Sequence, residues 1–573
     1  METKFFKTFN SKGCTLFFLV IFLFFIDINL SASRFKKNTV YVINLSGTLI
    51  ENKEPDKFSD MLLKIIGLKP KNEIGLNEVL KNLKIAADDP KVIGIYLKNG
   101  DLKAGYGELK EIRDELLNFK KTGKFIVAYA DFYNQNNYYL VSLADKIMLN
   151  PIGSIDIKGL SSTTRFYKNA ADKLGVEMQV LKVGTYKSAV EPYLYTNMSE
   201  PNRQQVQVFL NSIWGNVSGE IAKARNLNID SLNKIANEFN GLKPSETLIQ
   251  KHLTDTLVYI DEIDSILNHY VPDKIKIVKV DHNTFSSKNR RSKRNKNKIA
   301  IIYADGEIAK DGPVNAKNMI VMCNELERNA SIKAVVLRVN SPGGSAFESE
   351  KIWRALSKLK EKKPLVVSMA NYAASGGYYI SCMANEIVAQ PTTITGSIGI
   401  FAIIPNINKL NDKIGLTYDG VRTNELSDGF TTNRALSEVE RNMMQQNINR
   451  GYNLFVKRCA EGRKMTVDEI DTIAQGRVWT GEDALKIGLV DKLGGVNEAF
   501  AEAAKLAKLD NFQIVKTKIR GDGNSVSLSK VKLNLEQEML NNKFGEYYQL
   551  FKDMNELESK DKIQAKLMFD LDN

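Results

Sequence analysis

At 573 residues the chain exceeds what one ordinary core accommodates, so two or more domains are expected. With 43% hydrophobic and 26% charged residues it reads as globular, which excludes an intrinsically disordered chain. The formal net charge of +13 raises nucleic acid or anionic lipid as partners, but much of the excess is local. It sits in KNRRSKRNKNK (residues 288–298), which has no aromatic residue and reads as a solvated linker rather than a nucleic-acid patch.

Taken in chain order, the first element is the apolar run CTLFFLVIFLFFI (residues 14–26), preceded by Lys4, Lys7 and Lys12 and followed by Arg34, Lys36 and Lys37. The run is short for a full membrane span of about 20 residues and becomes adequate when Ile28 and Leu30 are counted. The small-residue stretch around Ala32 leaves a removed secretion signal as the alternative. The reading adopted is an uncleaved N-terminal apolar helix over residues 1–38, with the bulk of the chain exported. The four cysteines (Cys14, Cys323, Cys382, Cys459) show neither CxxC nor metal-ligand spacing, so neither a zinc site nor a disulfide framework is expected.

Beyond the apolar run the chain repeats itself. FIVAYADFYNQNNYYLVSLADKIMLNP (residues 125–151) aligns without a gap on LVVSMANYAASGGYYISCMANEIVAQP (residues 365–391) at a constant offset of 240. The same offset carries VIGIYLKNG at Val92 onto IKAVVLRVN at Ile332. NLSGTLI (residues 44–50) answers YADGEIA (residues 303–309), with an insertion in the first copy over residues 51–75. The repeats therefore span residues 39–282 and 299–515, joined by the basic linker at 283–298 and followed by a polar tail at 516–573. In the second repeat the strand-like IAIIYA, KAVVLRV and PLVVSMA alternate with VNAKNMIVMCNELERN and ESEKIWRALSKLKEKK, both apolar at helical spacing. That rhythm predicts an α/β fold of repeated, parallel βαβ units in each half. The stretch at residues 535–561 reads as a polar-faced helix.

Two glycine-rich corners fall at carboxyl ends of strands, where open α/β sheets bind ligands. One is NSPGGS (residues 340–345) and the other is ASGGYY (residues 374–379). A Pro-Gly-Gly turn leaves backbone N–H groups for a substrate carbonyl, and Ser375 on its corner is a candidate nucleophile. Taken alone, either corner is more often just a tight turn; both together, on strands of one unit, are a stronger signal. Its base is missing locally, because the three histidines (His252, His269, His282) all lie far away in sequence. A lysine whose charged form is disfavoured by burial is the remaining candidate. Lys187, in LKVGTYKSAVEPY among small and aromatic residues, stands out, although an ordinary surface lysine is the plainer reading.

Four motifs in order, VGTYKSAVEPY, NSPGGS, ASGGYYIS and TGSIGIF (residues 395–401), resemble the signal peptide peptidase A (protease IV) family in its long, two-repeat form. The likeness extends over most of the chain after Thr39. It implies two tandem Clp protease/crotonase-like domains and Ser-Lys peptidase activity without cofactor or metal. It further implies Ser375 as nucleophile, Lys187 as general base, the Gly344 and Gly376 N–H groups as oxyanion hole, and Ser397 as the residue orienting the lysine. The resemblance also implies a homotetramer held in the inner membrane by a single N-terminal anchor, with the catalytic domains on the periplasmic side. Its substrates would be peptides, namely remnant signal peptides and misfolded exported proteins; no nucleic acid is implied.

At offset 240 the counterpart of Ser375 is Gln135, and that of Lys187 is Ser427. Each repeat keeps what the other has lost, so the base of Ser375 is expected from the other half of the molecule. Two other readings stand beside this one: a crotonase-like acyl-CoA enzyme, and a non-catalytic membrane scaffold of degenerate repeats.

Overall fold

The computed structural model describes residues 35–53, 72–271, 276–288, 295–517 and 563–566. The apolar run at 14–26, much of the insertion after Glu51, residues 289–294 of the basic linker and the helix expected at 535–561 lie outside them. Among the described residues no helix is long and apolar enough to cross a membrane.

The first repeat builds one sheet from β1 (Thr39–Ile50), β2 (Glu73–Gly75), β3 (Val92–Lys103), β4 (Phe125–Tyr133) and β5 (Lys146–Ile155). After β6 (Glu177–Lys182), which leaves for another sheet, β7 (Thr256–Leu257) and β8 (Val278–Asp281) complete it. The order is β2-β1-β3-β4-β5-β7 with β8 also on β1, and every pair is parallel. The second repeat contributes β9 (Lys298–Asp305), β10 (Ile332–Ser341), β11 (Gly343–Ser345), β12 (Leu365–Ala374), β13 (Glu386–Ala389) and β14 (Ile394–Gly396). It continues with β15 (Phe401–Asn406), β16 (Val478–Thr480), β17 (Lys492–Leu493) and β18 (Gln513–Lys516). Its sheet runs β16-β14-β12-β10-β9-β18, with β13 on β12 and β17 on β13. Strands such as AVVLRV in β10 are buried on both faces, which is why they read as unbroken apolar runs rather than alternating ones. Helix Ala316–Arg328 lays Ala316, Met319, Cys323 and Leu326 on the sheet, and the Asn315 side chain caps it by accepting from Asn318 N–H.

The duplication is visible in small devices. Helices Glu200–Arg225 and Glu438–Arg463 are each 26 residues, each capped by a serine (Ser199, Ser437) and each closed by a left-handed residue. Tyr138 Oη donates to the Leu253 carbonyl as Tyr378 Oη donates to Leu489, and Arg225–Asp255 is matched by Arg463–Asp491.

Among the contacts that join the halves, two matter for the site and the core. A third sheet, β11-β19-β15-β6, takes β6 from the first repeat and β11 and β15 from the second. Its remaining strand, β19 (Ile563–Lys566), belongs to the tail, so this part of the tail is extended rather than helical. The other junction is buried and ionic: Arg338 of β10 holds Glu51 and Glu111 of the first repeat, at 2.7 Å each, and donates to Ser368 Oγ. Such a pair contributes little net stability, but removing one partner strands the other charge. Beside it, burial and then the Glu51 charge push the Glu108 carboxyl up to about 8. A carboxyl raised on folding gives stability that is whole below its ordinary range and is lost as pH climbs through about 8. Glu108→Gln keeps the acceptor for Gly105 N–H and cannot ionise. Thermal melts should therefore show the variant gaining on wild type between pH 6 and pH 9; an equal difference at both would contradict the assignment.

Candidate active site

Strand β12 ends at Ala374, and Ser375 turns the chain into the short helix Gly376–Tyr379. Ser375 has φ 56 and ψ −114, a conformation that costs a non-glycine residue energy and is kept only where surroundings enforce it. The enforcing contact is Ser375 N–H on the Gly396 carbonyl at 2.8 Å. The serine is fully buried. Gly376 follows at the first helical position, where the N–H has no intrahelical acceptor. A Cβ there would lie 2.7 Å from Ser349 Oγ, so the site leaves room for hydrogen only. Gly344 in β11 has φ 148, and a side chain on it would run into the Ile308 carbonyl. The Cβ position of the adjacent Gly343 lies 2.7 Å from Gly376 N, so the two glycine corners expected from the sequence meet.

Lys187 arrives from the first repeat. Strand β6 pairs antiparallel with β15, Lys182 opposite Phe401, and delivers the chain across the boundary. Val183 N–H then bonds the Ile400 carbonyl at 3.1 Å and Tyr186 N–H bonds Gln475 at 2.9 Å. Gln205 fixes the segment from the other side, donating to the Tyr186 carbonyl and accepting from Val478 N–H. The Lys187 Nζ ends 2.8 Å from Ser375 Oγ and 3.1 Å from both the carbonyl and the hydroxyl of Ser397. Only 1% of the side chain is exposed and all three partners are neutral oxygens. Burial therefore acts unopposed on the ammonium and lowers its pKa to about 7. An amine in that state can take a proton from a hydroxyl at neutral pH.

All five residues singled out from the sequence (Ser375, Lys187, Gly344, Gly376, Ser397) thus fall in one place. Missed were Gln205 and Gly476, which hold the lysine backbone; neither carries a signal in sequence, since each acts by packing against the other repeat. Two of the three histidines are engaged elsewhere: His282 Nδ1 with Tyr41 Oη at 2.6 Å, and His269 with the Ser265 carbonyl. Among the described residues no group of His, Cys, Asp or Glu could hold a metal ion.

The matching corner of the first repeat is plugged. Gln135 donates to Tyr106 Oη and the Gly159 carbonyl, and accepts from the N–H groups of Lys158 and Gly159. Ser427 lies on an exposed turn, bonded to the Asn424 carbonyl.

Fold and site together define a tandem-repeat α/β protein with a single serine–lysine corner among the described residues, assembled by both repeats. The sequence pattern of peptidase family S49 matches this chain twice, at residues 118–269 and 357–510. The chain belongs to peptidase family S49, in its long two-repeat form, and is a serine peptidase. It is 36% identical to Protease 4 of Haemophilus influenzae over 488 residues, covering 81% of this chain and 78% of that protein. It is 36% identical to Protease 4 of Salmonella typhi over 465 residues, 77% of this chain and 74% of the relative. With the chloroplastic serine protease SPPA of Arabidopsis thaliana it shares 33% over 451 residues, 76% of this chain and 66% of the relative. The family resemblance read from the four motifs is borne out, and the acyl-CoA and scaffold readings are not favoured.

Proposed function

We propose that the protein is a membrane-associated endopeptidase of Clp protease/crotonase-like fold, in which Ser375 is the nucleophile and Lys187 its general base. The observation that carries this reading is the 2.8 Å contact between Lys187 Nζ and Ser375 Oγ, with the amine buried and no carboxylate on it. Neutral Lys187 takes the Ser375 proton as Oγ attacks a peptide carbonyl, then returns it to the leaving amine. The Gly344 and Gly376 N–H groups receive the oxyanion, and Ser397 holds the amine on line. Labelling with a fluorophosphonate probe tests the assignment: wild type reacts, Ser375→Ala does not, and equal labelling of both refutes it.

The pH dependence follows from the sign of the lysine shift. Protonated Lys187 is no base, so activity should climb about tenfold per pH unit below about 7 and level off above it. Replacing His252, His269 and His282 together should leave that profile in place; its collapse would point to a histidine base.

The substrates proposed are remnant signal peptides and misfolded exported proteins, met on the periplasmic side of the inner membrane. Support for the membrane comes from the apolar run at residues 14–26 with lysines before it. A chain lacking residues 1–33 should be soluble and still active. Self-association into a homotetramer is proposed as well. In the first repeat, helix Lys168–Leu174 closes on Gly175 and leads into β6, which docks on β15. Its copy, helix Asn408–Ile414, closes on Gly415 and leads into residues that form no strand and expose Leu416, Tyr418 and Val421. A docking segment left unpaired at one end of a head-to-tail repeat favours another copy as its partner, and repetition of that contact closes a ring. Light scattering on wild type and Tyr418→Asp measures it.

A further inference from the structure

Strand β19, residues 563–566 of the tail, lies between β11 and β15 and runs antiparallel to both. Gly343 faces Lys566, Gly344 faces Ala565 and Ser345 faces Gln564; on the other edge Phe401 faces Gln564 and Ala402 faces Ile563. Both walls of this slot belong to the active site. β11 carries Gly344, and β15 begins just after Ser397 and is the strand on which β6 delivers Lys187. An extended peptide held by main-chain pairing along two sheet edges is how peptides of many sequences are gripped, with alternate side chains read by pockets.

The placement of Ala565 is specific. Its side chain is fully buried. Its carbonyl oxygen lies 3.2 Å from the point where a Cβ on Gly376 would stand, and a Cβ on Gly343, itself 2.7 Å from Gly376 N, would overlap the same oxygen. The carbonyl of Ala565 therefore occupies the space between the two glycine corners. Lys566, the next residue, pairs with Glu307 at 3.0 Å.

We propose that residues 563–566 are a built-in substrate: the tail fills the peptide cleft, and Ser375 cleaves the Ala565–Lys566 bond. The buried alanine marks a subsite for a small side chain on the acyl side of the cut. This rests on the Ser375–Lys187 mechanism above. Ser375 Oγ bonds to the Ala565 carbonyl carbon as its proton passes to Lys187 Nζ. The C–N bond to Lys566 then breaks, and the departing amine takes that proton, releasing residues 566–573. A water molecule attacks the Ser375 ester, gives a proton through Lys187 back to Oγ, and leaves Ala565 as a carboxylate terminus.

The test is intact-mass spectrometry of the full chain during incubation at pH 8, above the range to which burial lowers Lys187. Wild type should lose residues 566–573 and nothing more, at a rate independent of protein concentration, while Ser375→Ala keeps them. Ala565→Trp, whose side chain has no room at a fully buried position, should slow the loss at least tenfold. That variant should still label with the fluorophosphonate probe and cleave an unrelated peptide as fast as wild type or faster. A wild-type enzyme that labels and cleaves added peptide but keeps its tail, or cuts it at another bond, overturns the proposal while leaving the dyad standing. Loss of the tail from Ala565→Trp at the wild-type rate overturns it too. If wild type neither labels nor cleaves, the dyad itself falls, and the tail proposal with it.

Discussion

Peptide hydrolysis should fall by about 10⁴–10⁶-fold in Ser375→Ala and by nearly as much in Lys187→Met, and the double variant should be no slower than Ser375→Ala alone. On the mechanism proposed above the two groups act as one unit: an alcohol with no base beside it does not give up its proton, and a base with no alcohol has nothing to accept. Methionine is chosen because it keeps the volume of the buried stem and removes only the amine. It should also leave the fold more stable. Lys187 is forced towards neutrality by burial to about 7, whereas the unfolded chain holds that proton up to the ordinary lysine range, about 10.4. Between those values the unfolded state binds more protons, so wild-type stability rises with pH through the window and is lowest below it. The melting temperature of Lys187→Met should thus exceed that of wild type most clearly at pH 6. Losses that add in the double variant would mean that the base is another residue.

The sequence carries the sheets because buried parallel strands need unbroken apolar runs, and such runs repeat at offset 240 with nothing to blur them. Ser375 is legible through a second signal: two glycine-rich corners fall together at carboxyl ends of strands in one repeat, where open α/β sheets bind ligands. Lys187 is a different matter, since its partner is 188 residues away and its environment is made by the other repeat. Apolar periodicity says which face of β6 is buried, but not that its partner is β15. The same limit hides Arg338, which reads as one more charge in KAVVLRVN and proves to be wholly buried between Glu51 and Glu111. Residues 563–566 read as part of a polar helical tail because an extended peptide takes its order from the cleft that pairs with it. Gln135 was legible as the loss of a nucleophile, while its four hydrogen bonds, which close the vacant corner, come from residues that no spacing rule connects.

The second large effect is expected at a residue that touches neither Ser375 nor substrate. Gly476 has φ 77, and a Cβ on it would stand 2.6 Å from the Lys187 nitrogen and 2.7 Å from its Cα and Cβ. Those are backbone-anchored atoms that cannot swing aside as a side-chain tip would. Gly476 cannot retreat easily either, because its N–H is bonded to the Ile398 carbonyl at 2.8 Å, next to Ser397. Gly476→Ala must therefore push the Lys187 segment away from the corner it serves. A displacement near 1 Å at a catalytic group costs on the order of 10²-fold in rate. The left-handed backbone adds about 1–2 kcal/mol of strain for any residue with a Cβ. If the loss arises through the lysine, its character will show it. A displaced Nζ is better solvated, so its pKa should move up from about 7 and the pH–rate curve should shift to the alkaline side, recovering part of the deficit at high pH. A merely unstable enzyme would lose activity equally at every pH. Gly215→Ala is the matched control: it lies exposed within helix Glu200–Arg225, with nothing within 4 Å of the added carbon, and should leave rate and pH profile unchanged. Wild-type kinetics in Gly476→Ala would mean that the Lys187 backbone is free to move without consequence, and that the second repeat does not hold the base in place.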